Sequence, residues 1–212
     1  MSIRNVRAFD LLKATACVCA LITLVAAIAC VKSGDGDESD QRFYGYFQRD
    51  AKKMQQMGLP VYWLGREFTA TPGGVTFRGP YGAEFGGEVQ GGGIFMDYLH
   101  GGLDPELEIT VYSPNAWELV KDRILNPRLM SNEGEVTRRT VTVKGRQAEL
   151  MSVPQFTRPV GQLRLILDLD EVVVVAVARS GGQGPDGTDY SLFVNNPDLL
   201  VEVMQDLRPY PE

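Results

Sequence analysis

His100 is the only histidine of the chain, and Asp97, Asp104 and Glu106 stand close to it in sequence. An imidazole among carboxylates has two chemical uses. Oriented by Asp97 or Asp104, it would act as the general base of a hydrolase. The same groups would suit a divalent metal ion, but their spacing matches no metal motif. A histidine in the turn His100-Gly101-Gly102 needs no chemistry at all. The paired acids Asp168/Asp170 and Asp186/Asp189 have the composition of a two-carboxylate acid–base pair. Both pairs fall where turns are expected, a place aspartate takes for its hydrogen bonds to nearby backbone. The run Asp35-Gly36-Asp37-Glu38-Ser39-Asp40 lacks a calcium loop's glycine at the sixth position and its glutamate at the twelfth, where Tyr46 stands. The cluster Gly86 to Gly93 has no Gly-Lys-Ser/Thr and so is no phosphate loop. No catalytic or metal-ligating residue and no cofactor are therefore expected.

Aromatic residues concentrate in the first half of the chain. Most should be core. Tyr62, Trp63, Phe77, Tyr81, Phe85 and Phe95, interleaved with glycines that let backbones approach closely, would be able to line an apolar groove for an acyl chain or a partner helix.

The elements that must position these residues can be read from periodicity and punctuation. With Ser39 or Asp40 able to cap, Phe43, Phe47, Ala51 and Met54 recur at helical spacing until Gly58 and Pro60 stop the run. Val61 to Leu64 reads as a buried strand. Residues 72–93 hold nine glycines, which predicts loops around a short strand at Val75 to Arg78. Strands follow at Gly93 to Tyr98 and Leu107 to Tyr112, then a helix capped by Ser113 with Pro114 at its first position. Two hairpins come next, one turning at Lys144-Gly145 and one at Asp168-Leu169-Asp170. Val172 to Val177 is apolar throughout and belongs at a sheet centre. A short strand at Tyr190 to Val194 and a helix capped by Asn196 close the chain. The expected fold is α+β, an antiparallel sheet with helices packed on one face.

What precedes this domain bears most directly on function. Ala14 to Val31 is eighteen residues without a charge, with Arg4, Arg7 and Lys13 before it and Asp35, Asp37, Glu38 and Asp40 after it. As a helix it would span about 27 Å, near the hydrocarbon thickness of a bilayer, with the basic side held in the cytoplasm. Three mechanisms fit: an uncleaved membrane-spanning signal anchor, a lipoprotein signal ending at Ala27-Ile28-Ala29-Cys30 with Cys30 lipidated, or ordinary signal-peptide cleavage. The division expected is leader 1–31, flexible acidic linker 32–41, and one extracytoplasmic domain 42–212. All three cysteines, Cys17, Cys19 and Cys30, lie in the leader, so packing rather than disulfides must hold the domain. Residues 32–212 carry 18 Lys and Arg against 26 Asp and Glu, a balance that repels nucleic acid and anionic headgroups.

Pro60-Val61-Tyr62-Trp63-Leu64-Gly65 resembles a short signature of uncharacterised exported or lipidated envelope proteins of high-GC Gram-positive bacteria and their relatives. The C-terminal third, from Val141-Thr142-Val143-Lys144-Gly145 to Leu207-Arg208-Pro209, is similar to a β-rich domain of unknown function that follows transmembrane segments in anti-sigma-type proteins. The resemblance implies a sheet-and-helix envelope domain and brings no catalytic residues. The expectation is a non-enzymatic, membrane-tethered domain that binds or assembles with an integral membrane partner, and contacts lipid through its anchor. A lipid or lipoprotein carrier with an apolar cavity is the alternative, and a hydrolase using His100 a further one.

Overall fold

A computed structural model describes residues 41–42, 44–80, 92–99, 106–127, 135–154, 161–179 and 192–211 apart from 71–73, and residues 81–86, 155 and 158–160 in backbone only. The leader, Cys30 and the acidic linker lie outside the described residues. Among those described, no helix is long and apolar enough to cross a membrane.

Helix α1 (residues 44–56) leads into β1 (Val61–Trp63), β2 (Glu67–Ala70), β3 (Val75–Gly86), β4 (Gly93–Leu99) and β5 (Leu107–Tyr112). Helix α2 (Pro114–Leu125) precedes β6 (Thr137–Val143), β7 (Arg146–Gln155), β8 (Arg158–Asp168) and β9 (Val173–Arg179). Two short helices, α3 (Leu192–Asn195) and α4 (Pro197–Val203), a 3-10 turn (Met204–Asp206) and β10 (Arg208–Tyr210) follow. Strand order β2-β3-β4-β5-β9-β8-β7-β6 joins two antiparallel meanders through β5 and β9, while β1 and β10 pair separately.

Period-two alternation divides the large sheet into two faces. On the first, Met96 and Tyr98 of β4, Ile109 of β5, Leu165 of β8 and Ala176 of β9 are fully buried against Phe47 and Met54 of α1 and Phe193 and Leu200 of α3 and α4. On the second, Met151, Ile166, Val173 and Val175 meet Trp117, Ile124 and Leu125 of α2. The expectation of helices on one face therefore holds for α1, α3 and α4 and fails for α2. The reason lies in β9, which is apolar on both sides: Val173 and Val175 need cover as much as Val174 and Ala176. Two arginines fasten α2 there. Arg164 of β8 donates to the Ile124 carbonyl at 2.6 Å, and Arg138 of β6 donates to the Leu125 carbonyl. Both satisfy carbonyls left open at the helix C-terminus and place cations against its negative end.

Local signals hold in most places. Ser113 Oγ accepts from the Ala116 amide at 3.1 Å. Lys144 and Gly145 take φ of 52° and 76°, the paired left-handed values that match a two-residue hairpin to strand twist. Asp168 Oδ1 accepts from the Asp170 amide at 2.9 Å, so this pair of acids forms the turn expected of it. Elsewhere the structure differs. The glycine-rich stretch is no loop up to Gly86 but the long strand β3, shifted in register between Arg78 and Tyr81. The expected strand at Tyr190 to Val194 gives way to helix α3, with Phe193 and Val194 buried. Asn196 makes no side-chain cap. Strands β2 and β10 were not signalled; each is only three or four residues long, and β10 contains Pro209.

Candidate functional site

Of the six residues expected to form an apolar groove, the four whose side chains are described, Tyr62, Trp63, Phe77 and Phe95, do not share one surface. Trp63 and Phe77 are core, at 6% and 0% exposure. Trp63 stacks on Phe47 at 5.3 Å between ring centroids, with Tyr210 edge-on at 5.0 Å, and its buried Nε1 has no hydrogen-bond partner among the described residues. Tyr62 is half-buried on the opposite side of β1. Tyr81 and Phe85 lie in β3, where side chains are outside the described residues. Phe95 belongs to the second face of the large sheet, since its neighbours Ile94 and Met96 fill the first-face core. His100, Asp104, Asp186 and Asp189 lie outside the described residues. Asp97 and Glu106, the acids grouped with His100, are described. Glu106 is buried, and its carbonyl accepts from the Arg179 amide at 3.2 Å.

Asp97 is where the second face becomes unusual. β4 presents Phe95, Asp97 and Leu99 there, all half-buried, while β5 presents Glu108 and β9 presents Val177 and Arg179. Asp97 stands directly across the β4–β5 ladder from Glu108, and like charges placed directly opposite are destabilising. Glu108 is matched, because Arg179 Nη2 donates to its Oε2 at 2.8 Å. Asp97 makes no such hydrogen bond or ion pair among the described residues. Burial first, and the facing Glu108 second, push its carboxyl up to about 6, with Arg179 opposing. Sequence reasoning found Asp97 only as an orienting group for His100 or as a metal-ligand candidate beside it. Its pairing with Glu108 depends on the β4–β5 register, which spacing alone does not give.

A stability prediction follows from Asp97. An unfolded aspartate ionises near 4, so up to about pH 6 the folded chain keeps a proton that the unfolded chain has released. The contribution is present below about pH 4 and lost as pH rises through about 6. Because the carboxyl keeps contact with solvent, the change should reach only about 1 kcal/mol. Denaturant titrations at pH 4.5 and 7 should show it, and Asp97→Asn should remove it. An unchanged slope in the variant would refute the assignment.

A second surface feature lies at the β6 edge. A shallow depression of about 390 Å³ is lined by Arg138, Arg139, Thr140, Gln147, Ala148 and Glu149. Its arginines are engaged, Arg138 with Glu149 at 2.9 Å and Arg139 with Asp198. The hairpin end of this edge is closed by Gln205, whose side-chain amide donates to the Thr142 carbonyl at 3.0 Å and accepts from the Lys144 amide at 2.8 Å. That amide occupies the place of an incoming strand.

No protein-family model matches the chain, and comparisons with curated proteins and with solved structures give no match.

Proposed function

We propose that residues 42–212 form a non-catalytic binding or assembly domain, held on the outer face of the cytoplasmic membrane and working with an integral membrane partner. The observation that carries this reading is the uncharged run Ala14 to Val31 between a basic and an acidic flank, which orients the acidic flank and the domain away from the cytoplasm. Under the lipoprotein reading Cys30 carries the lipid; under the anchor reading the helix itself stays in the bilayer. The charge of the domain supports a protein partner over nucleic acid or anionic lipid. So does the second sheet face, where Phe95 and Leu99 are half-buried yet belong to neither hydrophobic cluster. The resemblance of Pro60 to Gly65 and of the C-terminal third to exported envelope proteins points the same way.

Extraction of native membranes in mild detergent, followed by sizing of the full chain, tests the reading. The expected result is co-migration with a membrane protein in a complex well above the chain's own 23.4 kDa. Recovery only as a free monomer across several detergents would contradict it.

A further inference from the structure

We propose that the stripe Phe95–Asp97–Leu99 on β4 is the docking site for a protein segment that inserts a lysine or arginine between apolar side chains. This deepens the binding-domain reading and rests on it. The three residues alternate onto one face of β4, so the carboxylate stands between two apolar side chains about 7 Å to either side. Phe95 and Leu99 pack into neither described cluster, and α2 gathers Tyr112, Val173, Val175 and Val177 but not these two. Phe95 and Leu99 are thus partly covered apolar side chains on which no described helix packs.

Charge selects the occupant. Arg179 is committed to Glu108 at 2.8 Å, and Arg164 to Gln162 at 2.8 Å and the Ile124 carbonyl at 2.6 Å. On β3, Tyr81 holds the register position opposite Asp97 and Glu84 the one opposite Phe95, and Arg78, opposite Leu99, is paired with Glu67 at 3.3 Å. Among the described residues Asp97 therefore remains a half-buried carboxylate beside a second carboxylate, with Arg179 acting on it only through space and bonded to Glu108 instead. Such a group is costly until a partner's cation arrives, and a guanidinium or ammonium with apolar neighbours is the partner chemistry that satisfies the whole stripe. The acidic domain would also steer a basic segment toward itself. Because a docked cation favours the ionised carboxyl, which burial and Glu108 hold back to about 6, association should strengthen as external pH rises from 5 to 7.

The test is photo-crosslinking of the full chain in intact cells, with p-benzoylphenylalanine replacing Phe95. We expect a protein adduct whose cross-linked peptide carries Lys or Arg flanked by apolar residues. Its yield should fall at least fivefold with Asp97→Asn and vanish with Asp97→Lys, both variants keeping the wild-type circular dichroism spectrum. A crosslink unchanged by Asp97→Asn, one to lipid or to a second copy of this chain, or an acidic cross-linked peptide would overturn the proposal. The same probe at Leu119, exposed on α2, separates the two readings. Adducts from Leu119 with none from Phe95 sink the stripe and leave a binding domain; adducts from neither position sink both.

Discussion

Gly79→Ala should lower the unfolding free energy by about 3 kcal/mol, and the melting temperature by roughly 6–12 °C for a domain of this size. Gly79 sits in β3 where the pairing with β4 shifts register between Arg78 and Tyr81, and its amide donates to the Arg66 carbonyl at 2.9 Å. A Cβ at this position would stand 2.6 Å from the Asp97 carbonyl oxygen and 2.7 Å from Cδ1 of Tyr98. Neither neighbour is the free end of a flexible side chain. One is backbone of a paired strand and the other is a ring at 0% exposure, so relief requires moving β3 away from β4. Differential scanning calorimetry of the domain checks the shift, and a change under about 1 kcal/mol would show that the two strands are not packed this closely.

Tyr98→Phe should cost about 2 kcal/mol although it removes a single oxygen. The Tyr98 hydroxyl accepts from the Leu64 amide at 3.1 Å in a buried setting, and burial pushes the phenol's pKa up, keeping it neutral. Removing the acceptor orphans a backbone N–H that water does not reach. The bond also links the segment after β1 to the large sheet, so hydrogen exchange at Leu64 should accelerate more than exchange in β5. An undiminished stability would mean that the amide finds another acceptor. Since Gly79 also abuts the Tyr98 ring, Gly79→Ala combined with Tyr98→Phe should depart from additivity.

The parts of this fold that could be read from sequence are those whose signals are local. Ser113-Pro114 starts α2, Lys144-Gly145 and Asp168 to Asp170 turn their hairpins, and the unbroken apolar run of Val172 to Val177 enters and fills most of β9 near the middle of eight strands. The parts that could not are set by distant partners. β1 reads as an interior strand, yet it pairs only with β10, some 150 residues away, and β10 carries a proline that weakens any strand signal. Residues 192–195 have strand-like composition but form a helix, because Phe193 and Val194 fill the first-face core from above. That β9 needs apolar contact on both faces is legible in its unbroken apolar run, but that α2 is the helix that covers the second face is visible only once the strand order and its packing are known. The candidate site was legible only in pieces: Phe95 as a groove aromatic and Asp97 as a carboxylate near His100. What joins them is the pleat of β4 and its register with β5, whereas Phe77 on β3 and Trp63 on β1 are buried in the core.

If a membrane leader holds this acidic domain outside the cytoplasm, as proposed above, a single labelling measurement should reveal it. Leu119 is 71% exposed and every native cysteine lies in the leader, so Leu119→Cys places a single thiol on the domain. In intact cells a membrane-impermeant maleimide should modify this variant well above the unaltered chain, with the product recovered in the membrane fraction. Modification only after lysis, with the chain recovered among soluble cytoplasmic proteins, would contradict the account.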